Sequence, residues 1–594
     1  MPTLHHLWAR GAGALLGHEP TGLRELGRAL CPERPGHNLG SLLGGLRVLG
    51  LNGWVALDGR DEDTAVRLTN AGAAVAATWA AHRATFDRLV GFLGHARDLP
   101  ALLHEPGGED AAAAFEDLVA RSRRGWDIAD PPDGAATAAV AGLRRQMDGV
   151  LVSPAMVALG IPVHRQDADA IRVARPALFE EVDASGRLSL RRLGAGWNGR
   201  LLRTALVLLA QQGLLERAPD DPAAVRLTDR GRLLVADAAN FGGPVSYLAN
   251  YSRLDDVLLG SGDPLGIASD GHVDRVMNIW TSYEHSVFSM GRTDMCAGFV
   301  RRIFDDPDLD AQPVGIADMG CGSGDSVRQL VDYVLRQTRR GRHLATHPLA
   351  VIGADYYEAP RARARAAFQA FAAQPGVQGH VVAADVSDPD AYEETIRELG
   401  MRTLDRRTGR RRRVGAADFV HTMMFLTHDR ELRITDRDRA VVVLRRAALA
   451  TDRETLAKAL APLTGSRELP DDDESLAALV VEQFTTAHSD RGPLVPAAVS
   501  AADLVQFMSR WRPYLAHGLL LLEVHVLRAS EVAAEGPLPE AAQPSAAAWG
   551  VHFASRQFLL PRREHELALT LAGFRAREAH PVVSETLSVG WWIR

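Results

Sequence analysis

Short apolar runs that end at or beside an acidic residue recur in the second half of the chain and predict buried strands. Three such runs are 314–318 (VGIAD), 349–355 (LAVIGAD) and 381–386 (VVAADV). A fourth strand is predicted to begin at 418–420, and the Leu-rich run 518–527 predicts a fifth strand that is buried on both faces. A helix over 567–574 and a strand over 584–594 complete the pattern. Because the strands alternate with helical segments, an α/β domain is predicted.

The N-terminal half contains a degenerate internal repeat. Residues 50–72 and 212–231 share the end of an apolar helix, a short strand, an acidic turn, the strand AVRLT and the start of a new helix. The returning strands are predicted at 65–69 and 224–228. A helical core with a β-hairpin is typical of winged helices, so two winged-helix-like modules are predicted.

Turn-rich and charged segments predict the domain boundaries. The stretch 260–270 (GSGDPLGIASD) is expected to separate the mostly helical N-terminal half from the α/β half. The predicted domains are 1–135, 136–260 and 261–594. The last of these has a charged helical insertion at about 430–500, after the fourth strand.

Composition limits the class of protein. The chain has 594 residues, is 46% hydrophobic and 24% charged, and carries a net charge of −7, so neither nucleic acid nor a membrane is a predicted partner. Segment 38–57 of the first module has one charged residue, Arg47, which argues against groove recognition. Three cysteines suit neither a disulfide framework nor a thiolate metal site. Without a recognisable signal peptide or a long apolar run, a cytoplasmic location is predicted.

The glycines after the first strand are the most informative motif. Asp318 is followed by Gly320, Gly322 and Gly324, in the pattern D-x-G-x-G-x-G. Glycines let backbone approach a ligand closely, and the acid suits a positively charged one. The pattern resembles the first motif of class I S-adenosylmethionine (SAM) methyltransferases. An ordinary glycine-rich turn of another α/β protein is the alternative.

Acids at the next two strand ends extend this resemblance. Asp355, at the end of the second strand, is the candidate that accepts hydrogen bonds from ribose hydroxyls. Asp385 and Val386, after the third strand, occupy the place where methyltransferases hold adenine. Each acid would otherwise cap a following helix.

Polar residues are predicted to converge at the carboxyl ends of the strands, where open α/β sheets bind ligands. The set consists of His421, Glu523, His525, His552 and Gln557. His421 and His428 are expected at or beyond the end of the fourth strand. Three histidines, a glutamate and a glutamine around one pocket favour a chemical role over a structural one.

From about residue 244 to the end, the chain resembles the metal-dependent methyltransferase family typified by the apratoxin polyketide-loading methyltransferase. The segments that carry the resemblance are 244–260 (PVSYLANYSRLDDVLLG), 274–280 (DRVMNIW), 318–325 (DMGCGSGD), 425–430 (FLTHDR), 511–525 (WRPYLAHGLLLLEVH) and 552–557 (HFASRQ). The resemblance implies a Rossmann-like seven-stranded SAM methyltransferase sheet. It also implies an Fe(II) or Mn(II) site beside SAM, at His525, His552 and Gln557, for a malonyl-type substrate.

One segment departs from the family pattern. The family sequence after the fifth strand is close to DATHGFSDQ, whereas this chain has AAAWGVHFASRQ, with Arg556 in place of the acid before Gln557. The loss of a carboxylate leaves two mechanisms open. In one, a metal polarises the substrate carbonyl. In the other, His421 acts as the base and Glu523 orients it.

The predicted function is SAM-dependent C-methylation next to a carbonyl, on a small-molecule or acyl-carrier-bound substrate of natural-product biosynthesis. Alternatives are metal-independent O- or N-methylation, non-methylating chemistry on a SAM-binding fold, and a SAM-sensing regulator. The N-terminal half is expected to serve as a lid or to form a homodimer. The basic cluster 406–413 (RRTGRRRR) is either a solvated loop or a docking patch for a phosphate or an acidic carrier protein.

Overall fold

The structure is a computed structural model of the whole chain. It describes residues 1–594 with the exception of 34–35, 37, 97–98, 104–107, 161–162, 168–169, 176, 193–196, 237, 243–244, 246, 261–290, 406–408, 466–467, 529–548, 551–552, 554 and 556. None of the described helices combines the length and the apolar character needed to cross a membrane.

The chain divides into two compact units, and each unit is assembled from three segments. Unit 1 contains Met1–Ser286, Ser489–Leu494 and Trp549–Arg556. Unit 2 contains Val287–His488, Val495–Ala548 and Gln557–Arg594. Two short segments from the second half of the sequence thus belong to the unit of the N-terminal half. The boundaries after residues 135 and 260 remain predictions.

Unit 1 is mostly helical. Its helices are α1 (Pro2–Ala9), α2 (Ala12–Leu15), α3 (Leu23–Leu30), α4 (Leu39–Leu51), α5 (Asn70–Ala81), α6 (Arg83–Ala96), α7 (Leu99–Leu102), α8 (Glu109–Arg123), α9 (Gly134–Gly160), α10 (Gly199–Gln211), α11 (Asp229–Ala236), α12 (Leu248–Ser252) and α13 (Leu254–Leu259). Its strands are β1 (Thr21–Gly22), β2 (Val55–Asp58), β3 (Ala65–Leu68), β4 (Val163–Asp167), β5 (Ala170–Arg175), β6 (Arg187–Ser189), β7 (Leu215–Arg217) and β8 (Ala224–Leu227). They form two three-stranded sheets, β1-β3-β2 and β6-β8-β7, and the pair β4-β5.

The two predicted repeats adopt the same local structure for the same physical reason. In both, the threonine of AVRLT caps the next helix: the Thr69 hydroxyl oxygen accepts a hydrogen bond from Gly72 N (2.9 Å), and that of Thr228 from Gly231 N (3.0 Å). A Cβ at Gly72 would collide with the carbonyl oxygen of Trp54, and one at Gly231 with that of Leu214, so both positions require glycine. The returning strands are therefore confirmed as β3 and β8.

Unit 2 is built on a seven-stranded sheet. The strands of the second half of the chain are β9 (Gly315–Met319), β10 (Leu349–Asp355), β11 (Val377–Ala383), β12 (Arg402–Asp405), β13 (Arg410–Arg413), β14 (Phe419–Met424), β15 (His488–Ser489), β16 (Leu494–Val495), β17 (Leu519–Val524), β18 (Arg575–Val583) and β19 (Leu587–Ile593). The sheet order is β11-β10-β9-β14-β17-β19-β18. The first five of these strands are parallel, and β19 and β18 are antiparallel to their neighbours. The predicted Rossmann-like fold is confirmed.

Helices of unit 2 follow the strands and cover the sheet. They are α14 (Arg301–Phe304), which continues a π-helical turn at Asp294–Val300, α15 (Asp325–Gln337), α16 (Arg339–Arg342), α17 (Glu358–Ala372), α18 (Pro389–Glu398), α19 (Arg437–Ala450), α20 (Arg453–Thr464), α21 (Asp473–Gln483), α22 (Ala497–Trp511) and α23 (Arg562–Leu571). The predicted insertion after the fourth strand is α19 to α21. An apolar core of side chains such as Ile352, Met423 and Leu521 lies between sheet and helices.

The last part of the sheet differs from the sequence prediction. The helix predicted over 567–574 is observed as α23, which ends at Leu571, and the strand β18 that follows it was not predicted. Its sequence, RAREAHPVV, has mixed polarity and contains Pro581, and such a strand is tolerated because β18 is the outermost strand of the sheet.

Candidate active site

A turn of three glycines connects β9 to α15. Gly320, Gly322 and Gly324 have φ values of +71°, +52° and +76°, in the left-handed region that residues with a Cβ rarely adopt. The N–H groups of Gly320 and Cys321 both donate to the carbonyl oxygen of Ala354, at 2.9 Å each, and hold the turn against β10. The backbone of the turn is therefore free of side chains at three alternate positions.

Asp355 ends β10 and binds the glycine turn. Its Oδ2 accepts a hydrogen bond from Gly322 N (3.0 Å), and its Oδ1 accepts one from Tyr357 N (3.0 Å). Burial raises the pKa of Asp355 above its ordinary value. A carboxylate has about four acceptor positions, so acceptor capacity remains for ribose hydroxyls. The turn and this acid thus fit the nucleoside end of SAM.

The other predicted cofactor residues lie at the same edge of the sheet. Asp318 is buried, and its Oδ1 accepts a hydrogen bond from the hydroxyl of Thr422 on β14. Asp385 is exposed after β11 and accepts a hydrogen bond from the backbone N–H two residues further on (2.8 Å). The carbonyl oxygen of Val386 accepts one from Trp511 Nε1 (2.8 Å). Their contacts with SAM remain predictions.

Tyr356 is a further candidate at this edge that the sequence reasoning missed. It directly follows Asp355, and 59% of its surface is exposed although it is a large aromatic residue. Its ring meets that of Tyr357 edge to face, with 5.0 Å between centroids. An exposed aromatic face beside the ribose acid suits contact with adenine. The signal in the sequence was an aromatic pair at a strand end.

The position predicted for His421 is wrong. The fourth strand continues to Met424, so His421 is its third residue and lies inside the sheet. Its buried ring packs among Tyr392, Phe419 and Trp511, and neither ring nitrogen has a hydrogen-bond partner among the described residues. Burial lowers the pKa of His421 to about 3. The fourth strand is longer than predicted because the apolar run FVHTMM continues it to residue 424.

Glu523 pairs with His428 and not with His421. His428 Nδ1 lies 2.6 Å from Glu523 Oε1, and both side chains are buried at the carboxyl ends of β14 and β17. The carboxylate also accepts hydrogen bonds from Thr427 N (3.0 Å), the Thr427 hydroxyl and Val524 N (2.9 Å). Burial opposes ionisation of Glu523, but these partners outweigh it and hold its pKa below the usual range.

Further buried residues next to the His428–Glu523 pair hold the loop that carries His428. Thr427 Oγ1 lies 2.8 Å from His565 Nε2, and the Arg430 guanidinium donates to the carbonyl oxygen of Thr427. Arg430 also donates to Asp503 Oδ2 (2.9 Å). Sequence reasoning gave no role to these four residues, because Thr427 and His565 are 138 positions apart and Arg430 and Asp503 are 73 apart.

The glycine turn and the His428 loop are neighbours. A Cβ placed on Gly320 would come within 2.8 Å of Leu426 Cδ1, two residues before His428. Strands β9 and β14 are adjacent in the sheet, and β17 follows β14. The buried imidazole–carboxylate pair therefore lies next to the turn that is expected to bind SAM.

The described residues do not assemble the predicted metal site. His525 Nδ1 lies 3.2 Å from the carbonyl oxygen of Leu560, and its Nε2 lies 2.8 Å from Ser588 Oγ, so both ring nitrogens have protein partners. Gln557 is buried, and His552 lies outside the described residues. No group of three or more His, Cys, Asp or Glu side chains within the described part of the chain could hold a metal ion. His525 as placed does not fit a metal ligand.

A family model described as "AprA MT2-like domain" matches residues 270–461 and 466–586, which is more than half of the chain. The chain belongs to this AprA MT2-like family. It is therefore a class I SAM-dependent methyltransferase, as the glycine turn and the acids at the strand ends predicted. No curated protein sequence matches the chain.

Solved structures of other methyltransferases resemble the chain at low similarity. An O-methyltransferase family protein from Burkholderia thailandensis is 13% identical over 76% of this chain and 97% of its own, with a TM-score of 0.39. Human N-acetylserotonin methyltransferase in complex with SAM is 12% identical over 78% of this chain and 99% of its own, also with a TM-score of 0.39. RosA, an N,N-8-amino-8-demethyl-D-riboflavin dimethyltransferase from Streptomyces davawensis, is 12% identical over 78% of this chain and 99% of its own, with a TM-score of 0.34. Similarities this low carry no argument about activity.

Proposed function

We propose that this AprA MT2-like methyltransferase methylates a carbon next to a carbonyl, in a carboxylic or acyl-carrier-bound substrate of natural-product biosynthesis. The observation that carries the proposal is the buried His428–Glu523 pair beside the glycine turn. Removal of a proton from such a carbon needs a base held next to the methyl donor. The resemblance to the apratoxin-type loading methyltransferases implies an acyl substrate.

The residues of the site have separate roles in binding the cofactor and in removing the substrate proton. The glycine turn and Asp355 hold SAM, which supplies the methyl group when it is bound. His428 takes the substrate proton, and the Glu523 carboxylate stabilises the imidazolium that results. The proton then leaves to water, so the base is restored for the next turnover.

Metal assistance remains a prediction, and no step above depends on it. The placement of His525 does not fit a ligand, whereas His552 is not described. Elemental analysis of the purified protein tests the prediction directly. One iron or manganese per chain that is lost in His552→Ala would support the metal site, and retention of the metal in that variant would contradict these ligands.

The position of the transferred methyl group tests the proposal against O- or N-methylation. We expect trideuteromethyl-SAM and a panel of malonyl- and acyl-pantetheine thioesters to give products heavier by one CD3. Fragmentation and NMR should place the label on the carbon next to the carbonyl, where it resists alkaline hydrolysis. A label on oxygen or nitrogen would contradict C-methylation.

Replacement of the base should slow turnover strongly without weakening cofactor binding. We expect His428→Gln to lower kcat by about 100-fold or more, because a positioned base contributes roughly 10²–10⁴-fold. Binding of S-adenosylhomocysteine, measured by calorimetry, should change less than about threefold. The exposed His343, which lies before β10, offers the control His343→Gln, and activity equal to this control in His428→Gln would refute the assignment.

A further inference from the structure

We propose that Thr427 and His565 are positioning residues that fix the tautomer of His428, so that its lone pair lies on Nε2. The proposal rests on the proposed base function of His428 and extends it to two buried side chains. His565, Thr427, Glu523 and His428 follow one another, and each neighbouring pair is within hydrogen-bond distance. We call these four residues the relay.

The direction of each hydrogen bond follows from the carboxylate. An ionised carboxylate only accepts hydrogen bonds, so every polar group that contacts Glu523 must donate to it. His428 Nδ1 must therefore carry a proton where it meets Oε1 at 2.6 Å. A neutral imidazole has a single ring proton, so in the neutral form, which is the form that acts as a base, the lone pair of His428 is on Nε2.

The same argument continues to His565. Thr427 has one hydroxyl proton, which it donates to Glu523 Oε2. Its oxygen can then only accept at the contact with His565 Nε2 (2.8 Å), so the imidazole proton of His565 must be on Nε2. Burial lowers the pKa of His565 to about 4, which keeps the ring neutral at neutral pH.

Thr427 holds the carboxylate with two groups, and this makes it the centre of the relay. Its N–H and its hydroxyl both donate to Glu523 Oε2, which leaves Oε1 to His428 and Val524 N. The carbonyl oxygen of Thr427 accepts from Arg430, so the residue is fixed from both sides. Without its hydroxyl, the carboxylate loses one donor, and His565 loses its acceptor.

Spectroscopy on the resting protein tests the tautomers without any substrate. We would label histidines with ¹⁵N and assign the two rings from His428→Gln and His565→Gln. At pH 7.5 we expect a proton on Nδ1 of His428 and on Nε2 of His565. In Thr427→Val we expect His428 to become a mixture of tautomers, whereas Thr427→Ser should keep the wild-type signals. A proton on Nε2 of His428 in the wild type, or unchanged signals in Thr427→Val, would overturn the proposal.

Kinetics test whether the tautomer matters for turnover. Partners that orient metal-bound histidines typically contribute 10- to 100-fold, and from the same orienting effect we expect Thr427→Val to lower kcat by about 10-fold with KM for SAM unchanged. Thr427→Ser should recover most of this loss. Thr451→Val, which removes a hydroxyl that donates to the helix carbonyl of Ala447, serves as the control. Equal kcat in Thr427→Val and this control would contradict a positioning role.

Two outcomes separate this proposal from the proposed function. If the label lands on oxygen or nitrogen, C-methylation fails, but the NMR measurement still decides the tautomer of His428. If the carbon is methylated and His428 carries its proton on Nε2, the relay fails and the reaction class stands. Melting temperature and S-adenosylhomocysteine binding of each variant show that it is folded before either result is read.

Discussion

Three histidines of unit 2 differ in what their ring nitrogens contact, and this difference separates their roles. The ring of His421 packs against aromatic rings, and within the described part of the chain neither of its nitrogens has a hydrogen-bond partner. Both nitrogens of His525 are engaged with protein atoms. His428 has a carboxylate on one nitrogen, which is the arrangement that a general base needs.

Gly320 is the residue at which turn conformation and cofactor binding are linked most directly. We expect Gly320→Ala to destabilise the protein by about 1–2 kcal/mol, because alanine disfavours the left-handed region, and to weaken S-adenosylhomocysteine binding. Its Cβ would also press on Leu426 of the His428 loop. Thermal unfolding and calorimetry measure both effects.

Gly298→Ala is the matched control for that substitution. A Cβ on Gly298 meets no atom within 4 Å, and its φ is not positive, so we expect binding to stay unchanged and stability to stay the same or to rise by up to about 1 kcal/mol, because alanine favours a helical segment over glycine. Equal behaviour of the two variants would show that the turn tolerates a side chain at Gly320.

At the scale of elements, the loop after β14 is held by α22. Asp503 Oδ1 accepts hydrogen bonds from Arg433 N (2.7 Å) and Ile434 N (3.1 Å), and Oδ2 accepts from Arg430 Nε (2.9 Å). Arg430 in turn donates to the carbonyl oxygen of Thr427. Asp503 therefore anchors the loop after β14 from a buried position. Through Arg430 and Thr427, this anchor fixes the position of His428.

We expect Asp503→Asn to destabilise unit 2 by about 3–5 kcal/mol, because it leaves the buried Arg430 guanidinium without its counter-charge. The control is Asp332→Asn, which removes a partly exposed pair with Arg328 at 3.4 Å and should cost at most about 1 kcal/mol. Chemical denaturation monitored by circular dichroism compares the two. Similar losses in both variants would contradict an anchoring role.

For the molecule as a whole, buried neutral imidazoles make stability depend on pH. Burial lowers the pKa of His421 and His525 to about 3 and that of His565 to about 4. In the unfolded chain the same groups titrate near about 6.5. Between these values the unfolded state binds protons that the folded state does not, so stability falls as the pH is lowered from about 6.5 towards about 4.

The expected loss is up to about 1.4 kcal/mol per pH unit for each such group. Melting temperatures between pH 7.5 and 5.0 should therefore decrease, and the decrease should be smaller in His421→Leu. Leucine also removes a buried imidazole that has no hydrogen-bond partner among the residues the structure describes, so we expect this variant to be at least as stable as wild type at pH 7.5. A melting temperature that does not change with pH would contradict the prediction.

The sequence by itself determined the features that depend on local patterns. The five parallel strands, the glycine turn and Asp355 follow from apolar runs, glycine spacing and strand ends, since each is encoded within a few neighbouring residues. The caps of the N-terminal repeats belong to the same class, because Thr69 and Gly72 are three positions apart. Family membership rests on a match that spans residues 270–461 and 466–586, which include the glycine turn and Asp355.

Only the tertiary structure decided which histidine meets Glu523. Both His421 and His428 lie on the fourth strand or beyond it, and the end of that strand depends on its pairing with β9 and β17. The assignment of Ser489–Leu494 and Trp549–Arg556 to unit 1 is of the same kind. Contacts between residues about 95 or more positions apart, such as Glu523 with Thr427, His428 and their neighbours, have no local pattern, so packing alone selects them.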